Sequence, residues 1–103
     1  SWLPWINYTL DRVYGIEPQC ARCDVPPSEH ILESCMVAIE PDETPVVGSI
    51  ATLGHKNFIV GSDYPHPPST FPNTAAGIET MEGLTDEMRD DMLGGNLKRL
   101  FRI

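Results

Sequence analysis

Little positive charge is available in this sequence: 7 lysines and arginines stand against 15 aspartates and glutamates, a formal net charge of −8 over 103 residues. No basic patch exists to neutralise phosphates, which argues against nucleic acid as a partner. Long apolar runs are missing too. A bilayer span needs about 20 predominantly apolar residues, and no stretch approaches that, so no membrane role is expected. The start, Ser1-Trp2-Leu3-Pro4-Trp5, carries none of the marks of a signal peptide. Cysteine is scarce and odd in number, at 20, 23 and 35, which argues against a complete disulfide framework. Cys20 and Cys23 have CxxC spacing, but Pro18 before them and Pro26-Pro27 after them place the pair in a loop, not between a strand and a helix as a redox motif requires. Cys35 and His30 stand at no standard finger spacing. The expectation is reduced thiols in a cytoplasmic protein, with no bridge between Cys20 and Cys23 and no structural zinc on them. Internal repeats and low-complexity tracts are absent as well.

What is present is ordinary for one small globular domain over residues 1–103: 41% hydrophobic and 21% charged residues. The informative stretch is Asn57 to Pro67. An apolar run, Phe58 to Val60, stops abruptly, and Asp63, Tyr64 and His66 follow within six residues. Prolines 65, 67 and 68 forbid a strand or helix from continuing. A βα enzyme displays an acid in this way at the C-terminal end of a buried parallel strand.

The rest of the chain supplies matching elements. Leu3, Ile6, Leu10, Val13 and Tyr14 make one stripe of a helix over 2–14, with Pro4 in its first turn and Gly15 as its stop. Residues 16–27 read as a structured loop, and Ser28 caps a short turn at Glu29–Glu33. Residues 35–39 form a strand buried on both faces. Asp42 or Thr44 opens a helix over 44–53, burying Val46, Val47, Ile50 and Leu53, and Gly54 ends it. The strand at 58–62 follows. Strand, helix and strand in about 28 residues is a βαβ unit, so the strands are expected to be parallel neighbours with a right-handed crossover. A weak helix is expected over 75–81. Thr85 is the N-cap of the next, whose apolar face is Met88, Met92 and Leu93. Gly94-Gly95 breaks that helix, and Asn96, read as a cap and tether, starts a last short one that buries Leu97, Leu100 and Phe101.

Two parallel strands cannot cover both their faces or remove their edges. The helices are amphipathic as if coating a sheet, with too little sheet to coat. The sequence reads as the last part of something larger.

Five segments, in order, resemble the amidohydrolase-2 family, the metal-dependent hydrolases and decarboxylases related to aminocarboxymuconate-semialdehyde decarboxylase. They are Trp2-Leu3-Pro4-Trp5 through Leu10-Asp11-Arg12; Pro26-Pro27-Ser28-Glu29; Ile39-Glu40-Pro41-Asp42-Glu43; Gly61-Ser62-Asp63-Tyr64-Pro65-His66; and Leu93-Gly94-Gly95-Asn96-Leu97-Lys98-Arg99-Leu100-Phe101. The resemblance implies an α/β fold: about the last two to three βα units of a TIM-type (β/α)8 barrel, not closed by itself. Members of the family bind one divalent metal, commonly zinc or manganese, at the C-terminal face. The implied ligands are a His-x-His pair on the first strand, histidines on middle strands, and the aspartate that ends strand eight. Only that last position falls in this chain, at Asp63, and the chain contains no His-x-His. The expectation is a fragment that is inactive alone and binds little or no metal, from an enzyme that hydrolyses or non-oxidatively decarboxylates a small carboxylated substrate. Its partners would be that substrate, in the complete enzyme, and either the missing N-terminal barrel part or another copy of itself. The alternative is a non-catalytic assembly or interaction unit derived from such a barrel.

For Asp63 the resemblance implies metal contact and proton exchange with metal-bound water; in the chain alone, an Asx-type cap of loop N–H groups serves as well. His66 is either a substrate-contacting group at the rim or a solvent-facing loop residue. Glu40 is read as a carboxylate for the N-terminus of the following helix, Tyr64 as a packing residue, and Trp2 and Trp5 as core or interface. His30 and His55, with no partner at ligand spacing, are read as surface residues.

Overall fold

Why the chain folds as it does is set by where its prolines and glycines interrupt helices. The structure is a computed structural model that describes residues 2–20 and 22–103, Cys20 by its backbone alone. Helix α1 (Leu3–Ile16) takes Pro4 in its first turn; a tight turn at Pro18–Cys20 leads to α2 (Pro27–Ser34), which also begins on a proline. Strand β1 (Val37–Ile39), helix α3 (Val46–Leu53) and strand β2 (Phe58–Val60) follow, then α4 (Thr74–Thr80). A final helical rod consists of α5 (Asp86–Asp90), a π turn (Asp91–Gly95) and α6 (Asn96–Phe101).

β1 and β2 are parallel, in the register Val37 to Phe58, Ala38 to Ile59 and Ile39 to Val60, and α3 is the crossover. The expected βαβ unit is therefore present. Gly54, at φ 81°, stops α3, and its N–H bonds the Ile50 carbonyl. The core is Leu3, Ile39, Val46, Ile50, Phe58, Ile78, Met81, Leu84 and Met92. Leu3 and Asn7 are the buried positions of α1. Asp11, on the same helix, reaches α2: its carboxylate accepts from the Ser28 N–H at 2.9 Å and from the Ser28 hydroxyl at 2.5 Å. Ser28 is thus the partner of a distant acid and not the cap of its own helix.

Three expectations are corrected by packing. β1 is not buried on both faces: Ala38 is exposed, and its N–H and C=O point to an outer edge where no third strand lies among the described residues. The last helix half-buries Leu97 but leaves Leu100 and Phe101 45% and 66% exposed, and Leu93, in the turn before it, is exposed too. Trp2, Trp5 and Tyr8 are likewise more than half exposed. The radius of gyration, 15.3 Å, exceeds the roughly 13 Å of a compact domain of about 100 residues. These are the features of an open piece of a layered α/β fold.

The third correction concerns Gly94-Gly95, which does not break the rod. The rod widens into a π turn there, and the Asn96 N–H bonds the Asp91 carbonyl five residues back. Asn96 is not a cap. It is fully buried, and its side-chain amide donates to the His55 carbonyl at 2.8 Å and the Phe58 carbonyl at 2.6 Å, while its oxygen accepts from Arg99 at 2.9 Å. Asn57 faces β1, since its carbonyl accepts from the Val37 N–H. The Phe58 carbonyl therefore faces away from β1, and Asn96 covers that edge.

Two stability measurements follow. Asn96→Ala leaves the Phe58 carbonyl buried without its partner, at about 1–3 kcal/mol, while the His55 carbonyl keeps the Phe58 N–H; chemical denaturation should show a loss of at least about 1 kcal/mol, and a loss below about 0.5 kcal/mol would mean that water replaces the amide. A Cβ on Gly77 would lie 2.5 Å from the Pro41 Cβ, whereas one on Gly48 meets nothing within 4 Å. Gly77→Ala should destabilise by roughly 1–3 kcal/mol through overpacking against a rigid ring, and Gly48→Ala should stabilise by about 0.4–1 kcal/mol. Equal effects at the two positions would refute the close approach of α4 to Pro41.

Candidate functional site

Because β1 and β2 are parallel, their C-terminal ends share one edge. The ladder runs one residue past β2, with the Gly61 N–H bonded to the Ile39 carbonyl at 3.0 Å. The chain then turns sharply. Asp63 adopts φ 54°, a left-handed conformation that aspartate tolerates better than most side chains. Ser62 closes the loop behind it: its carbonyl accepts from the Thr70 N–H at 3.1 Å and the Ser69 hydroxyl at 2.6 Å, and its hydroxyl accepts from the Tyr64 N–H at 3.3 Å. The Asp63 carbonyl accepts from the His66 N–H at 2.8 Å, and the His66 Nδ1 lies 2.9 Å from Asp63 Oδ1. The two side chains named as site residues from the sequence therefore meet. The Asp63 side chain is 40% and the His66 side chain 70% exposed. Asp63 Oδ2 has no hydrogen-bond partner among the described residues.

Glu40 belongs to the same edge. It follows β1 as Gly61 follows β2, and a cavity of about 160 Å³ is lined by Ala38, Ile39, Glu40, Glu43, Gly61 and Asp63. The Glu40 carboxyl is held above the ordinary carboxylate range, first by its partial burial and then by the negative charge of Asp63, with Asp42 and Glu43 adding to it. The reading of Glu40 as a carboxylate for the next helix is thus corrected: α3 begins six residues later, at Val46, after Pro45. The signal that finds it is the parallel register, which sets residue 40 beside residue 61.

At the opposite, N-terminal edge of β2 lies a second charged group. His55 is not a surface residue, since its side chain is only 14% exposed and its Nε2 is 2.8 Å from Asp91 Oδ2 and 4.0 Å from Glu87 Oε1. The Lys56 ammonium bonds Asp91 Oδ2 and lies 3.6 Å from Glu87 Oε1. Asp91 is held below its ordinary range, chiefly by the Lys56 hydrogen bond, and Lys56 is held above its own by the same bond. Gly95 makes room for this: a Cβ there would stand 2.5 Å from Asp91 Oδ1.

Other residues weighed from the sequence lie apart from both groups. Tyr64 packs its ring on Phe71 at 4.9 Å, and both are largely exposed. Trp2 borders an apolar cavity of about 490 Å³ with Leu3, Ile6, Ile31, Met36, Val37 and Ala38, beside the open edge of β1. Cys23 and Cys35 are free thiols; the Cys20 side chain lies outside the described residues. No helix among the described residues is long and apolar enough to cross a membrane.

No model of a known protein family matches the chain, and no curated protein matches it by sequence. Among solved structures it is similar to 5-carboxyvanillate decarboxylase LigW from Sphingomonas paucimobilis, with a TM-score of 0.77 and 22% sequence identity. The match covers 99% of this chain and 31% of that one. The likeness shows the fold, and with the two-stranded parallel sheet it supports part of a TIM-type barrel. The chain spans about a third of the length of that structure.

The raised Glu40 carboxyl has a consequence for stability. The folded chain holds this proton more tightly than the unfolded chain, so stability falls as pH rises from about the ordinary value of 4.5 through the folded value above it. Glu40→Gln removes that opposition. Its Tm should exceed the parent's at pH 7, and the gain should shrink to nothing as pH is lowered below 4.5. A variant no more stable at pH 7 would show that Glu40 and Asp63 do not strain this edge.

Proposed function

We propose that this chain is the C-terminal part of a metal-dependent barrel enzyme of the amidohydrolase-2 type, a hydrolase or non-oxidative decarboxylase of a small carboxylated substrate, and that it supplies Asp63 and His66 to the active site. The observation that carries the reading is Asp63 itself: an acid in a left-handed turn, at the C-terminal edge of a parallel pair, with an imidazole on one carboxylate oxygen and no partner on the other among the described residues. This is the edge at which barrel enzymes place their chemistry. The likeness to a decarboxylase over nearly the whole chain supports the same reading.

A divalent metal, zinc or manganese, would supply an activated water or a Lewis acid to such a site when bound. The donors present do not make a complete site. Asp63 offers one carboxylate, and Glu40, which lines the same small cavity, is the nearest candidate for a second. Zinc generally takes three protein ligands even where a position stays open for water. The remaining ligands must come from elsewhere in a barrel. What the chain's own residues can do is narrower. Asp63 can accept a proton at Oδ2 and return it, and His66, bonded to Oδ1, fixes the orientation of the carboxylate and stands at the rim where a carboxylated substrate would arrive.

The open edge of β1, the exposed Trp2, Trp5 and Tyr8 and the apolar cavity beside them favour pairing with a complementary barrel part. Self-association through the same surfaces is the second reading, favoured by the same exposure, and it would leave Asp63 facing solvent as a loop cap.

In a complete barrel carrying this segment, Asp63→Asn keeps the shape but removes the charge and the proton-accepting oxygen. Turnover should fall by at least roughly 10²–10⁴, while the 103-residue chain alone should show none. His66→Ala should shift KM and the pH profile more than kcat. Near-normal turnover in the Asp63→Asn barrel would leave Asp63 a cap and nothing more.

A further inference from the structure

The edge of β2 away from Asp63 carries a group of side chains that the proposed reaction does not use. His55 sits in the loop before the strand, and Glu87 and Asp91 are one turn apart on the final rod. One ligand atom from each lies within 4.8 Å of the others. We infer that His55, Glu87 and Asp91 form a binding site for a divalent transition-metal ion of the zinc class, in which Lys56 serves as a displaceable internal cation.

The geometry supports this from three sides. Ligand atoms around a tetrahedral ion with bonds near 2.0–2.2 Å stand about 3.3 Å apart. The observed 2.8 Å from His55 Nε2 to Asp91 Oδ2 and 4.0 Å to Glu87 Oε1 straddle that spacing. Two of the three ligands are preorganised. The His55 backbone is held by the Asn96 amide through its carbonyl, and Asp91 lies on the π turn with its carboxylate lodged where Gly95 has no side chain. Glu87, 75% exposed, is free to adjust. The charge balance is the third argument. Two carboxylates face a single ammonium, and a histidine binds a metal through its neutral imidazole, so the ligand set carries one negative charge more than Lys56 balances. Lys56 is half exposed on a flexible stem, and it can swing into solvent when a doubly charged ion replaces it. Arg99, bonded to the Lys56 carbonyl and to Asn96, is the other cation nearby and stays outside the ligand set. One imidazole with two carboxylates suits zinc and its neighbours in the transition series better than magnesium or calcium, which take oxygen ligands in larger number.

The test uses the 103-residue chain and zinc chloride. Calorimetric titration should give one zinc per chain. Binding should be lost in His55→Ala and in Asp91→Asn, be retained in Asp63→Asn and His66→Ala, and tighten about tenfold in Lys56→Gln, since a unit positive charge near the ion is removed. Where His55→Ala or Asp91→Asn loses its fold by circular dichroism, the reading comes from the wild-type chain: zinc should shift the His55 ring resonances and leave those of His30 and His66 in place. Absence of saturable binding to both the wild-type and Lys56→Gln chains would overturn the proposal. So would binding that survives His55→Ala, or that disappears in Cys23→Ser. Because Asp63 is on the other edge, loss of binding in Asp63→Asn would also overturn it and would speak for metal at the proposed active site instead.

Discussion

Everything placed in this molecule depends on the parallel pairing of β1 with β2. Parallel strands cannot be joined by a tight turn; they require a crossover, and α3, stopped by Gly54, is that crossover. Pairing in this sense gives the sheet two unlike ends. Glu40 and Asp63 leave from one, where the strands finish. His55 and Lys56 enter at the other, where β2 starts. Ladder bonds then hold the two ends a fixed distance apart, so the acids at one edge and the ion pairs at the other are positioned by the same few hydrogen bonds.

The two ends are built to different purposes. At the strand starts, opposite charges are paired: Asp91 meets Lys56 and His55, and Asn96 and Arg99 satisfy the carbonyls of Lys56, His55 and Phe58. Opposite charges and filled hydrogen bonds make that edge a brace. At the strand finishes, like charges gather. Glu40 is crowded by Asp63, Asp42 and Glu43, and the backbone of Asp63 takes a conformation few side chains favour. Local strain of this kind is kept where the surrounding structure over-determines it, and it is common at working sites.

Much of this was legible in the sequence because it is local. Pro4, Pro45 and Gly54 mark helix ends by backbone geometry alone, and Thr85 caps α5 as its neighbours Asp86 and Glu87 suggest. The stop after Val60 and the prolines beyond it fix where Asp63 stands. What was not legible is what depends on partners far along the chain. Ser28 reads as a cap for the turn after it, but Asp11 takes it from 17 residues away. His55 has no ligand spacing in sequence, since its partner is 36 residues on. Glu40 reads as part of a helix start until the strand register sets it beside Gly61. The exposure of Leu100 and Phe101 defeats periodicity altogether, because a helical stripe tells which face is apolar and not whether anything is there to cover it.

The π turn at Asp91–Gly95 marks the one place where this rod can change its length. A wide turn holds one residue more than a turn of α-helix, since its hydrogen bond spans five residues and not four. Met92, inside that turn, and Asn96, just after it, both point to the core. Losing a single residue between them would close the turn to ordinary helix, with the same Asn96 N–H meeting the same Asp91 carbonyl four residues back. The halves of the rod would keep their phase, with Asn96 on the edge of β2 and Arg99 on the Lys56 carbonyl. A residue lost from α5 would instead turn everything beyond it by about 100° and take both side chains away from the sheet.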